Sequence, residues 1–228
     1  MLLMGIETSR RDGTVVLSRD GRILGERLLN REGRRHAQTL VAEMNDLAQE
    51  SGIRLRDCGA VAVSIGPGSF TGLRVGVAAA KTLAYATGCR LAAVDTFLCI
   101  AQASPSDVGK VTVIGDAQRG DLYVGHYLRG RDGFFMRAGE IAIVNARQWY
   151  CRLSADDIIS GPGVDKYADE LPRACRILES EFRHPQAAIV AQLGERQILS
   201  GDLADLWKLE PFYLRPSAAE EKRDASGR

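Results

Sequence analysis

The chain has 228 residues, of which 45% are hydrophobic and 26% are charged, and its formal net charge is +1 at pH 7. This length suffices for one large domain or for two small ones that share an extended core. The near-neutral charge argues against broad electrostatic attraction to nucleic acid. Arg74 and Lys81 interrupt the best apolar run, so the sequence predicts no membrane span. Its first residues lack the pattern of a secretion signal, and we therefore expect a cytoplasmic protein.

The cysteines and histidines are isolated from one another along the chain. The five cysteines include no C-x-x-C pair, and such spacing favours small buried side chains in a reducing compartment over disulfides. The three histidines are His36, His126 and His184, and none lies three or four residues from another or from a cysteine. The sequence therefore predicts no metal-binding pair on a helix.

The first half of the chain alternates short apolar strands with helices. The predicted elements are strands at 2–7, 14–18 and 22–29, a helix at 34–51, a strand at 60–65 and a helix at 72–87. Their order is β-β-β-α-β-α. A further strand at 91–95 and a short helical connection lead into the second half.

The second half repeats this order. Its predicted elements are strands at 110–116, 121–127 and 134–143, a helix near 146, a strand at 157–161, and helices after 163 and at 187–199. The recurrence indicates two ribonuclease-H-like units and hence a two-lobed α/β architecture, the actin-like (ASKHA) fold of sugar kinases and heat-shock ATPases. One continuous doubly wound sheet is the alternative, but three consecutive strands at the start of each half weigh against it.

The predicted organisation is an N-terminal lobe, a C-terminal lobe and a tail. We place the lobes at 1–103 and 104–216. Residues 217–228 carry charge and no apolar anchor, so we expect them to be disordered.

A glycine-rich loop joins the strand at 60–65 to the helix that follows it. The loop fails the Walker phosphate motif, because Leu73 and Arg74 follow Gly72 where lysine and serine or threonine are required. It also fails the dinucleotide pattern and the nucleophile elbow, since Thr71 stands where each needs glycine. We favour a tight turn in which Ser69 or Thr71 caps the helix. Generic anion binding at the helix N-terminus remains the alternative.

The helix after the loop is apolar nearly all round. Its small residues Gly72, Gly76, Ala80 and Ala84 recur every four positions and predict a flat stripe that another backbone could approach. The preceding helix repeats apolar residues at helical spacing, which by itself predicts only a core face. Together the two helices predict a docking surface for a partner. Burial in the chain's own core is the equally weighted alternative.

Carboxylates at strand ends are the remaining candidates for catalytic chemistry: Glu7, Asp95 and Asp116. In kinases of this architecture, an aspartate at the end of the first strand of each half helps to orient magnesium and phosphate. Glu7 and Asp116 are therefore the candidate cofactor-binding residues. The longer side chain of Glu7 disfavours that metal geometry, and the sequence makes a competent phosphotransferase hard to defend.

Six segments, in order and at the expected spacing, resemble the TsaB (also YeaZ) family of bacterial tRNA threonylcarbamoyladenosine biosynthesis proteins. They are "GIETS", "RRHAQTLV", "GPGSFTGLRVGVAAAKTLA", "GDAQRGDLYVGHY", "SGPGVDKY" and "EPFYLR". The resemblance covers the chain to about residue 215, and the central segment is the most specific. Glu7 departs from the aspartate usual at this position in the family, which disfavours a nucleotide contact there.

The resemblance implies a non-catalytic scaffold and activator without a cofactor of its own. Its partner would be the catalytic paralogue TsaD, which transfers threonylcarbamoyl to adenosine 37 of tRNA, and the ATPase TsaE would complete the complex. ATP or ADP and tRNA would then bind at the level of the complex. The family docks through the two helices above, which also pair in homodimers. The implied interface residues are His36, Leu40, Val41, Met44, Leu47, Gly72, Leu73, Gly76, Val77, Ala80 and Ala84.

Two enzymatic hypotheses stand beside the scaffold. The first is an active ATPase or small-molecule kinase of the same architecture, in which Asp116 would act on the nucleotide. The second is a metalloprotease, which would require a zinc site. The catalytic paralogue carries a metal-binding histidine pair on the first helix, whereas here His36 stands alone and Val41 and Met44 provide no second ligand. This difference favours the non-catalytic member.

Overall fold

The computed structural model describes residues 1–29 and 36–215, with only the backbone of residues 36–38. The predicted tail at 217–228 and the side chain of His36 lie outside this part. The first lobe contains strands β1 (Leu2–Glu7), β2 (Thr14–Arg19), β3 (Arg22–Leu28), β4 (Ala60–Gly66) and β5 (Arg90–Asp95), and helices α1 (His36–Glu50), α2 (Phe70–Thr87) and α3 (Thr96–Gln102).

The first sheet has the strand order β3-β2-β1-β4-β5. β1 is antiparallel to β2, with Leu2 opposite Arg19, and parallel to β4, with Leu3 opposite Ala60. Alternate residues of β1 enter different cores because a strand's side chains point to opposite faces. Met4 and Ile6 pack in the same cluster as α1 and α2, and Leu3 packs on the other face.

The second lobe contains strands β6 (Lys110–Asp116), β7 (Asp121–Arg129), β8 (Phe135–Arg137), β9 (Ala142–Asn145), β10 (Ile158–Ser160) and β11 (Arg176–Ile177), and helices α4 (Ala146–Tyr150), α5 (Gly163–Tyr167) and α6 (Ala187–Ser200). Its sheet runs β11-β10-β6-β7-β8, with β9 also paired to β7. β6 is antiparallel to β7 and parallel to β10, as β1 is to β2 and β4. The duplicated ribonuclease-H-like units and the two-lobed actin-like fold are therefore confirmed.

Two details differ from the sequence prediction. The single third strand predicted at 134–143 is instead the pair β8 and β9, because Gly139 adopts φ +90 and ends the extended run between them. Helix α6, which the prediction places in the C-terminal lobe, packs on the first sheet instead, where Val190, Ala191 and Leu193 join the cluster of Leu3 and Val16. The chain therefore returns to its first lobe.

Helix α2 begins at Phe70, two residues before the predicted start at 72, and one of the two predicted capping residues caps it. The Ser69 hydroxyl accepts a 3.3 Å hydrogen bond from the backbone N–H of Gly72, which caps the helix, and Gly88 ends it in the left-handed conformation at φ 71. Ser69 rather than Thr71 is thus the capping residue. No helix within residues 1–29 and 36–215 has both the length and the apolarity needed to cross a membrane.

Candidate functional site: the outer helix face and the interlobe cleft

The small-residue stripe of α2 faces the chain's own first lobe. A Cβ atom built on Gly72 would overlap the carbonyl oxygen of Thr8, and one built on Gly76 would overlap the Thr8 hydroxyl. Ala80 has no exposed surface and Ala84 is only 5% exposed. The backbone that approaches this stripe therefore belongs to the loop after β1. This corrects the prediction that the stripe is a surface for a partner.

The other predicted interface residues divide in the same way. Leu40, Met44, Leu47, Leu73 and Val77 are all buried in the chain's own core, so they cannot contact a partner in this structure. Val41 is the exception, with 63% of its surface exposed. The side chain of His36 lies outside the described residues. Helical periodicity alone does not distinguish a core stripe from a docking stripe, which is why these residues were misplaced.

The exposed sides of α1 and α2 form a single surface, because both helices cover the same face of the first sheet. We call this surface the outer helix face. It mixes small, apolar and charged side chains, and the exposed acidic residues Asp46 and Glu50 of α1 belong to it. Its exposed residues include Val41 and Ala42 of α1 and Thr71, Arg74, Ala78, Thr82 and Tyr85 of α2.

The chain after α6 runs along one flank of α2. The Lys81 ammonium donates a 3.0 Å hydrogen bond to the carbonyl of Leu209 and a 3.4 Å bond to that of Trp207. Trp207 meets Tyr85 edge to face, with ring centroids 5.8 Å apart. Both aromatic rings remain largely exposed, at 75% and 71%. The outer helix face therefore ends in an exposed aromatic pair.

A cleft of about 780 Å³ lies between the two lobes. The first lobe contributes the loop after β1, including Arg10, and the start of α2, including Phe70. The second lobe contributes Asp116 at the end of β6 and the turn that follows it, including Arg119. Residues 212–215 complete the wall. Clefts between domains are common places for ligands to bind.

Glu7 does not reach this cleft. It is 1% exposed and is absent from the cleft wall. Its Oε1 accepts a 2.6 Å hydrogen bond from the backbone N–H of Ser9. Burial raises the pKa of Glu7 above its ordinary value, against the opposing effects of the Ser64 hydroxyl and of Ser9. The sequence candidate Glu7 is therefore a buried residue of the core and not a ligand-binding group in this structure.

Asp116 lines the cleft, but its carboxylate is already engaged. It accepts hydrogen bonds from Lys166 Nζ at 2.6 Å, from the Tyr167 hydroxyl at 3.0 Å and from the Gln118 N–H at 2.9 Å. Partial burial raises its pKa, but these donors outweigh burial and hold the pKa of Asp116 below its ordinary value. The cleft thus does not bring Glu7 and Asp116 together as a pair.

Asp95, the third strand-end carboxylate, has a structural role. Its Oδ1 caps α3 through the N–H groups of Phe97 and Leu98, and its Oδ2 accepts a 2.9 Å hydrogen bond from the hydroxyl of Tyr127 in the second lobe. Sequence reasoning missed the cap, although an aspartate directly before a helix is an ordinary capping signal. It also missed the link between the lobes. Among the described residues, no three His, Cys, Asp or Glu side chains are grouped to hold a metal ion.

Comparisons with known proteins place this geometry in context. A family model described as TsaD, tRNA N6-adenosine threonylcarbamoyltransferase, matches residues 23–174. The chain is 28% identical to the tRNA threonylcarbamoyladenosine biosynthesis protein TsaB of Escherichia coli, covering 97% of this chain and 98% of that protein. It is 31% identical to the tRNA N6-adenosine threonylcarbamoyltransferase of Geotalea uraniireducens, but this match covers only 42% of this chain and 32% of that protein. The solved structure of YeaZ from Pseudomonas aeruginosa superposes with a TM-score of 0.80 at 26% identity, covering 93% of this chain and 99% of that one.

Proposed function

We propose that this chain is a non-catalytic subunit of tRNA threonylcarbamoyladenosine biosynthesis. The chain belongs to the TsaD (tRNA N6-adenosine threonylcarbamoyltransferase) family and is similar to TsaB along nearly its whole length. In this role it docks on TsaD and activates threonylcarbamoyl transfer to adenosine 37, with TsaE completing the complex. ATP or ADP and tRNA bind at the level of that complex, and this chain needs no cofactor of its own.

The observation that carries the non-catalytic assignment is the state of the two strand-end carboxylates. Glu7 is sealed in the core, and Asp116 is engaged by Lys166, Tyr167 and the N–H of Gln118. A phosphotransferase of this architecture needs such carboxylates at the nucleotide's magnesium ion. Neither residue is available for that task in this arrangement.

The outer helix face is the docking surface in this proposal. Its exposed small and apolar side chains, Val41, Ala42, Ala78 and Thr82, allow close approach of a partner helix. A stable interface buries on the order of 1,200 Å² or more in total, which helices of the length of α1 and α2 can supply. Because a second copy of the chain would use the same helices, a homodimer and the complex with TsaD compete for this face.

Substitution of Ala78 by arginine tests the docking surface. Ala78 is exposed on α2, so Ala78→Arg leaves the fold intact and places a charged side chain at the centre of the face. We expect the complex with TsaD from the same source to be lost in size-exclusion chromatography. Gln192→Arg is the matched control, because Gln192 is exposed on α6, which covers the opposite face of the first sheet. If Ala78→Arg still forms the complex with TsaD, the outer helix face is not the docking surface.

The competing ATPase or kinase hypothesis predicts a different result. It rests on Asp116 in the wall of the cleft. Magnesium-dependent ATP turnover by the purified chain alone, abolished in Asp116→Ala, would favour an enzyme over a scaffold. The scaffold proposal expects no such turnover.

A further inference from the structure

The segment Glu210–Arg215, which we call the strap, touches both lobes and forms part of the cleft wall. Its residues Phe212, Tyr213, Leu214 and Arg215 all line the cleft. It follows the stretch that Lys81 holds against α2. The proposed docking function makes no use of the strap.

The first half of the strap is fixed to the first lobe. The backbone N–H of Phe212 donates a 2.7 Å hydrogen bond to the carbonyl of Ile65 at the end of β4. The ring of Tyr213 stacks on that of Phe70 with centroids 4.6 Å apart, and the Tyr213 hydroxyl accepts a 2.9 Å hydrogen bond from Arg74 Nε. These contacts hold the strap to β4 and to the first turns of α2.

The last residue of the strap is fixed to the second lobe. The Arg215 guanidinium donates to the carbonyl oxygen of Ala117 at 2.6 Å and to Asp121 Oδ2 at 2.7 Å. Both partners flank the turn between β6 and β7. The side chains of Arg215 and Asp121 are only 23% and 25% exposed, so solvent weakens this pair less than it would a fully exposed one. Leu214 packs against the core cluster that contains Val113 and Tyr127.

Two other bonds between the lobes lie away from the cleft wall. Asp95 accepts its hydrogen bond from Tyr127 beside α3, and Arg196 of α6 bonds Asp132 in the turn between β7 and β8 at 2.5 Å. None of these four residues lines the cleft. The strap is thus placed to limit the separation of the cleft walls themselves.

We propose that the strap is a brace that holds the two lobes at one separation, and that its release allows the cleft to widen. The polar bridge is short: the Phe212 and Tyr213 hydrogen bonds and one aromatic stack on the first lobe, and the Arg215 guanidinium with its two acceptors on the second. Losing either end leaves only the packing of Phe212 and Leu214 against the core cluster. This inference concerns movement within the chain and does not depend on the identity of its partner.

Distance measurements between spin labels, together with amide hydrogen exchange, test the brace in the full chain. Labels on Gln49→Cys of α1 and Gln148→Cys of α4 report the separation of the lobes, since both positions are exposed. The background carries Cys89→Ser and Cys151→Ser, because these two cysteines are the accessible ones among the described residues. Dilution with unlabelled chain removes any signal between two copies.

Arg215→Ala is the informative variant. We expect its distance distribution to broaden toward longer values. Exchange at the Phe212 amide should rise about tenfold or more, because the variant lacks the hydrogen bond between Arg215 and the charged Asp121 that holds the end of the strap. Lys208→Ala should match the parent, because Lys208 is exposed outside the strap. Tyr213→Ala, which cuts the first-lobe end at a 38% exposed position, should change both readouts in the same direction. A distance distribution that matches the parent's, together with Phe212 exchange within about twofold of the parent's rate, in both strap variants would overturn the proposal.

Discussion

Glu7 and Asp116 end the first strands of the two units, yet their surroundings move their pKa values in opposite directions. Burial raises the pKa of Glu7, whereas Lys166, Tyr167 and the N–H of Gln118 together hold that of Asp116 low. Equivalent positions in a duplicated fold have therefore taken different structural roles. One carboxyl group is part of the core, and the other ties the turn after β6 to α5.

Glu7→Gln should make the stability of the protein less dependent on pH. Because the folded-state pKa of Glu7 lies above its unfolded value of 4.5, the folded chain holds the proton more tightly. Its contribution to stability is therefore fully present below the unfolded pKa and is lost as the pH rises through the folded pKa. Glutamine does not ionise and keeps an oxygen to accept the Ser9 N–H.

Urea unfolding of the parent and of Glu7→Gln, measured from about pH 4 to about pH 8, checks this expectation. The parent's unfolding free energy should fall relative to that of the variant as the pH rises. Two curves that stay parallel would show that Glu7 does not titrate differently in the folded and unfolded chains.

At the scale of elements, α2 has three different neighbours, which explains why it is apolar nearly all round. Gly72, Gly76 and Ala80 face the first lobe's core, α1 packs beside the helix, and Lys81 and Tyr85 contact the chain after α6. The stripe from Thr71 through Ala78 and Thr82 to Tyr85 remains exposed to solvent. A partner would reach α2 along this stripe.

Arginine substitutions at Ala78 and Ala80, two residues apart on α2, should therefore have very different effects on stability. Ala80→Arg buries a charge without a partner, at a cost of about 3 kcal/mol or more. That is a large share of a typical unfolding free energy of about 5–15 kcal/mol. Ala78→Arg, on the exposed side, should change stability by about 0.5 kcal/mol or less. Thermal unfolding compares them directly, and equal melting temperatures would contradict the orientation of α2.

The sequence allowed most elements to be predicted, because their apolar periodicity matches the local structure. Ser69 capped α2 as the loop residues indicated. Periodicity does not say which neighbour an apolar face meets, so the stripe through Gly76 was assigned to a partner instead of Thr8. For the same reason the sequence places α6 in the C-terminal lobe, whereas it packs on the first sheet. Both errors concern tertiary contacts between segments far apart in sequence.

At the scale of the whole molecule, the two units are linked by more than the chain connection that runs through α3. Helix α6 returns to the first sheet after the second lobe is complete, and the strap then bridges the cleft. Neither feature follows from the repeated order of strands, which describes each unit separately. The outer helix face lies on the first lobe and borders the cleft, because its residues Thr71 and Arg74 also line the cleft wall and Arg74 bonds Tyr213 of the strap.

Reconstituted modification of tRNA tests the central claim most directly. This chain, TsaD and TsaE from the same source are combined with ATP, threonylcarbamoyl adenylate and substrate tRNA. The threonylcarbamoyladenosine formed at position 37 is then quantified. We expect no product from this chain alone and full product only when all three proteins are present. Gln192→Arg should support that activity, and Ala78→Arg should lose it. Product formed by this chain alone, or equal product with and without it, would contradict its assignment as a non-catalytic activating subunit.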